Sequence, residues 1–199
     1  MRYKQIVISI SCICFLNISF GQFNDFINRF KHCSLPLVIK EETFDIYHSD
    51  DDRVVISEED VVKYLMLESD TFINIKKSSE KTGYHKYIAV CKFDVHNDFW
   101  GVLYFRTLNR DDGNKILELM LSVLTKKGKL ISTYPISGFY TAENIAFDAT
   151  IFNAENIEIL FYKLETHKDR FGTFYLRSEN IIEKKYFYIT KQGLIQSKK

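Results

Sequence analysis

Few residues in this chain could attack a carbon atom or hold a metal, and they are scattered. Cys91, lying between His85 and His96, would suit a thiol nucleophile with an imidazole base. Spacing defeats the pairing. In an extended chain Cys91 and His96 fall on opposite faces, and His85, although on the same face, lies roughly 20 Å away along the strand. His32, His48 and His167 fall in segments read as loops, with no acid or nucleophile at a meaningful spacing. Asp50, Asp51 and Asp52, with Glu58 and Glu59, offer the oxygen atoms that calcium takes. They lack the glycine and spacing of a calcium-binding loop, so they read as an exposed acidic loop. Asp111-Asp112-Gly113-Asn114 reads as a turn, because Gly and Asn tolerate positive φ.

The recognisable catalytic motifs are absent. There is no His-Glu-x-x-His zinc helix, no Gly-x-Ser-x-Gly elbow and no paired Cys-x-x-Cys. The eight glycines stand singly, so no loop can wrap a phosphate with its backbone. No catalytic residue, cofactor or metal ligand is therefore assigned. Aromatic residues are the enriched resource, at 15% of the chain. Trp100, Tyr104, Tyr134 and Tyr162 are the candidate binding-face aromatics, with Tyr140, Tyr175, Tyr186 and Tyr188 also on or beside predicted strands. Aromatic rows on a sheet can stack sugars or meet another protein. The plainer account, that strands favour aromatics for cross-strand packing, is preferred.

Compartment is the more legible property. Arg2 and Lys4 precede an uncharged apolar run, Gln5–Phe20, and Ser19-Phe20-Gly21 places small residues three before and one before Gln22. That layout predicts an export signal, residues 1–21, cleaved between Gly21 and Gln22. The apolar run is short of the roughly 20 residues of a spanning helix. Cys12 and Cys14 lack the small residue before them, or the aliphatic residue three before, that lipid attachment requires. The expected product is periplasmic or secreted, with no stable membrane anchor after cleavage.

Removing residues 1–21 takes away two positive charges and turns the net charge of +1 into −1. A near-neutral surface gives no reason to expect nucleic acid as a partner. Lys126-Lys127-Gly128-Lys129 and Lys184-Lys185 read as solvated turns between apolar strands. In an exported chain Cys33 and Cys91 could pair as a disulfide, or remain as buried thiols; the sequence supports both.

The elements that must position these residues fall into two parts. Phe23, Phe26, Ile27 and Phe30 have helical spacing, and Pro36 marks an extended stretch after them. A second helix starts at Ser57, whose spacing to Asp60 suits a capping box, with Val61, Val62, Leu65 and Met66 as its apolar stripe. From Tyr84 onward apolar residues alternate, and turn signals, including Asn97-Asp98, Ser137-Gly138 and Asn153-Ala154-Glu155-Asn156, separate the runs. Connections this short leave no room for crossover helices, so neighbours should pair antiparallel. The expected fold is α+β and mostly β: an antiparallel meander of about eight strands with one or two short N-terminal helices. Residues 22–199 would form one domain, 22–83 helical or irregular and 84–199 the meander. A twisted open sheet covered on one face by the helices is preferred, and an up-and-down barrel is the alternative. Charges on both strand faces argue against an outer-membrane barrel.

Leu121-Ser122-Val123-Leu124-Thr125-Lys126-Lys127-Gly128-Lys129-Leu130-Ile131-Ser132, the closing Tyr186–Ile195 segment and the Phe20-Gly21-Gln22 signal end together carry a resemblance. They resemble the small exported, meander-rich proteins of unknown function common in Bacteroidota. The resemblance implies an envelope or secreted location and no activity. The functional expectation is a non-enzymatic module that binds another envelope or extracellular protein. The alternatives are a small-ligand carrier, if the sheet closes round a cavity, and an unrecognised hydrolase, if Asp94 and His96 converge in one cleft.

Overall fold

The computed structural model describes residues 21–40, 54–65, 86–109, 115–140, 144–168 and 174–198. Helix α1 (residues 21–28) is followed by β1 (Lys31–His32), β2 (Leu37–Ile39) and β3 (Val54–Val55). A single turn, α2 (Glu58–Asp60), then runs into a π turn, Val61–Leu65. The meander comprises β4 (Lys86–Val95), β5 (Phe99–Asn109), β6 (Lys115–Thr125), β7 (Leu130–Tyr140), β8 (Ile145–Asn153), β9 (Asn156–Lys168), β10 (Phe174–Ile189) and β11 (Ile195–Ser197). Each of these pairs antiparallel with the next. The N-terminal strands complete a mixed sheet of eleven: β1 lies parallel on β4, β3 pairs with β4 and β2 with β8.

The sheet is open, so the barrel alternative fails. The two ends of the meander do not join: β1 and β3 occupy the free edge of β4, while β11 pairs with β10. Within the meander β7 and β8 pair from Gly138–Tyr140 to Ile145–Phe147, and β2 takes the edge of β8 at Ala149–Ile151. The sheet nevertheless curls. Ser132 on β7 donates its hydroxyl to the Gly193 carbonyl at 2.7 Å and accepts from the Ile195 amide at 3.2 Å.

Curling gives two cores, one on each face. Inside, Phe93, Leu103, Leu121, Phe147, Ile157, Ile159 and Phe187 form a single cluster drawn from β4 through β10. Outside, among the described residues, the covering layer lies over β4–β7. There Phe23, Phe26, Ile27 and Phe30 of the α1 segment meet Val102, Tyr104, Met120 and Leu124, with Ile56, Val61, Tyr64 and Leu65 alongside. The aromatic spacing predicted for α1 is thus the spacing that packs. Tyr64, absent from the predicted stripe, supplies a ring 4.6 Å from that of Phe26. Capping fixes both short helices. Ser57 Oγ accepts the Asp60 amide at 3.2 Å and donates to its Oδ2 at 2.7 Å. That same oxygen receives Arg29 Nη1 at 2.6 Å, tying α2 to the end of α1. Lys92 Nζ caps α1 from the sheet, 2.9 Å from the Ile27 carbonyl, where a cation suits the negative helix end.

Bulges correct the predicted alternation. In β4 the register shifts between Ala89 and Cys91. Ile88 therefore joins Cys91, Phe93 and Val95 inside, while Tyr87 and Ala89 pack outside. An extra residue in one strand reverses every face beyond it, and simple alternation cannot foresee that. The predicted turn at Ser137-Gly138 is instead continuous β7. Gly138 is needed because a Cβ there would stand 2.4 Å from the Leu117 carbonyl oxygen. Lys184-Lys185 is not a turn either: it lies within one sixteen-residue strand, β10, which absorbs two bulges. Residues 1–20, Asp50–Asp52, Met66, His48, His85 and the turn at 110–114 lie outside the described residues. Gly21 and Gln22, the expected cleavage pair, open α1.

Candidate functional site

The four candidate aromatics part company in the fold. Tyr104 is 3% exposed, sealed beneath the helices. Its hydroxyl lies 3.2 Å from Ser122 Oγ, which donates in turn to Thr133 Oγ1 at 2.8 Å. Burial raises the Tyr104 phenol above its ordinary range, with these hydrogen bonds opposing the rise. Tyr134 points to the inner face, its ring 4.6 Å from Phe187. Neither can be a binding-face residue. Both instead pack across strands, the account preferred above; strand alternation identifies two faces but does not say which is covered.

Trp100 is half-buried and already occupied. Lys126 Nζ stands 3.0 Å from the ring centroid and Lys92 Nζ 5.3 Å from it, while the His32 ring meets Trp100 edge-on. Asp94 pairs with Lys126 and, at 3.2 Å, with His32. The Lys126 contact chiefly holds the Asp94 carboxyl below its usual range, with burial opposing and His32 assisting. Burial and the neighbouring Lys126 charge draw the Lys92 ammonium down, while Asp94 opposes. Lys126, expected in a solvated turn, therefore serves as the lid on Trp100, and no sugar can stack on a face so covered. His96 turns the other way, its Nε2 3.4 Å from the Ile189 carbonyl. Asp94 and His96 do not share a cleft.

Tyr162 alone of the four lies on open sheet. The outer face of β8–β10 carries cross-strand rows read directly from the register: Val38–Thr150–Glu158–Tyr186, Asp148–Leu160–Lys184 and Ala146–Tyr162–Ile181. Apolar Val38, Ile181 and Tyr186 are exposed, at 56%, 58% and 39%. Lys184 binds Glu158 at 2.7 Å and lies 5.3 Å over the Tyr186 ring. Among the described residues no helix covers this face. Burial, with the Asp148 and Glu158 carboxylates, raises the Tyr162 phenol. Ile181 and Val38 escaped the sequence reading because residue type alone does not reveal that, among the described residues, no helix packs on their side of the sheet.

The cysteines meet. Cys33 donates its amide to the Lys92 carbonyl at 2.9 Å, and its thiol lies 3.5 Å from the same oxygen. Cys33 packs against the inner cluster that contains Cys91, and the two thiols are not covalently joined. A shallow depression of about 470 Å³ lies elsewhere, against His96, Glu155, Tyr188 and Lys191. Among the described residues no three His, Cys, Asp or Glu side chains are grouped to hold a metal ion, and no helix is long and apolar enough to cross a membrane. No protein-family model, curated protein or solved structure matches the chain.

Proposed function

We propose that this chain is an exported, non-enzymatic binding module that engages another envelope or extracellular protein through the outer face of β8–β10. The observation that carries the reading is the asymmetry of the sheet's outer surface. Helices cover it over β4–β7, whereas β8–β10 presents apolar residues interleaved with an acid–base pair. Mixed rows of this kind suit a protein surface: the apolar residues supply area, and Glu158 with Lys184 imposes register. The carrier alternative required a closed sheet, which is not formed.

The test compares the full chain with the triple variant Tyr162→Ala, Ile181→Asp, Tyr186→Ala, each immobilised and exposed to solubilised envelope proteins. All three positions are on the surface or half-buried, so the variant should melt with the wild type. We expect proteins retained by the wild type to be lost from the variant and kept by a Lys129→Ala control. If the folded triple variant retains the same proteins as the wild type, or the wild type retains none above the bare matrix, the reading fails.

A further inference from the structure

We propose that Cys33 and Cys91 close into a disulfide that bolts the N-terminal segment to the sheet once the chain meets a thiol oxidant. The placement is specific. β1 lies parallel on β4 with Lys31 opposite Cys91 and His32 opposite Lys92, and the next residue is Cys33, anchored through its amide to the Lys92 carbonyl. Cys33 already packs against the inner cluster that holds Cys91, on the neighbouring strand, so joining the sulfurs demands local adjustment rather than refolding. Cys33 and Cys91 stand 58 positions apart in sequence, and a bond between them would link the segment that follows α1 and β1 to β4, a strand of the inner core.

The two sulfurs are not equivalent. Cys33 is half-buried, and the hydrogen bond from Cys91 holds its thiol below the ordinary value against the opposing effect of burial. Cys91, 7% exposed, is pushed up, first by its role as donor to Cys33 and then by burial. Cys33 is thus the attacking thiolate and Cys91 the resolving thiol. Cys33 sulfur attacks one sulfur of a disulfide-bearing oxidant, such as an exported dithiol–disulfide oxidoreductase. A mixed disulfide forms, and the oxidant's other sulfur leaves as a thiolate. Cys91 then gives up its proton, attacks the Cys33 sulfur and expels the second oxidant thiolate. The chain loses two electrons and two protons, and the oxidant's disulfide is reduced to two thiols.

The test uses the full chain carrying Cys12→Ser and Cys14→Ser, so that Cys33 and Cys91 are the only thiols. The folded protein is equilibrated in graded ratios of reduced to oxidised glutathione, acid-quenched, alkylated and digested for mass spectrometry. We expect a linked pair of peptides containing Cys33 and Cys91, lighter by two hydrogens than the reduced pair, to replace the alkylated peptides as the buffer becomes oxidising. The oxidised protein should melt about 10 °C above the reduced one, the order of effect for a ring of this size in a chain of this length. Cys33→Ser should abolish that difference. Peptides that are separately glutathionylated, or alkylated at every ratio, would overturn the proposal, as would indistinguishable melting of the oxidised and reduced forms. None of these readouts depends on the outer face of β8–β10, so this proposal and the binding reading can fail separately.

Discussion

Gly101 shows how one residue sets the inner core. It lies opposite Phe93, and a Cβ added to it would stand 2.5 Å from the Phe93 ring. The ring is 1% exposed and has nowhere to retreat. Gly101→Ala should therefore cost about 1–3 kcal/mol, read as a lower urea midpoint at unchanged slope. Asp94 offers a gentler test. Its carboxyl is held low, so its contribution to stability is complete above the ordinary unfolded value near 4 and disappears as pH falls through the folded value. The group is largely exposed, which limits the effect to under about 1 kcal/mol. Asp94→Asn should lower the urea midpoint slightly at about pH 6, and the difference should close by about pH 2. Residue types such as these were plain in the sequence; their partners were not. Lys126 lies in the β6–β7 turn, as expected, but its contact with Trp100 was not legible because it requires the β4–β5 and β6–β7 turns to come side by side.

At the scale of elements, the helices act as covers rather than as independent units. α1 is too short to be stable in water by itself, so its formation depends on burying its aromatic residues against β4–β6. Phe26 is wholly buried, and Phe26→Ala should cost about 3–5 kcal/mol. The same variant should increase binding of a hydrophobic dye, since the outer face beneath would be uncovered. Val38→Ala, on the open face, should shift stability by no more than about 0.5 kcal/mol. Periodicity made α1 legible in advance, and Ser57 announced α2. It did not reveal that β10 is one long strand, because two bulges break its alternation and its charged middle imitates a turn.

For the whole molecule, the weak place is the seam between β7 and β8. Three residue pairs hold it, against eleven between β5 and β6. Amide exchange should report that difference. Amides whose only partners lie across the seam should open with a lower free energy than those of Leu103 and Leu121 in the β5–β6 ladder. Equal protection of both regions in native-state exchange would contradict this picture of an open sheet held shut mainly by its inner core.

Some properties were determined by sequence alone. The mostly β class, the antiparallel meander, the α1 stripe and the Ser57 cap all follow from periodicity and short connections, which are local. Only the tertiary structure decided that the sheet stays open, that the described helices cover β4–β7, and that Cys33 meets the strand of Cys91. Those outcomes depend on bulges that reverse faces and on contacts between residues far apart in the chain. No local pattern encodes them, because each is set by which surfaces the whole fold leaves to be buried.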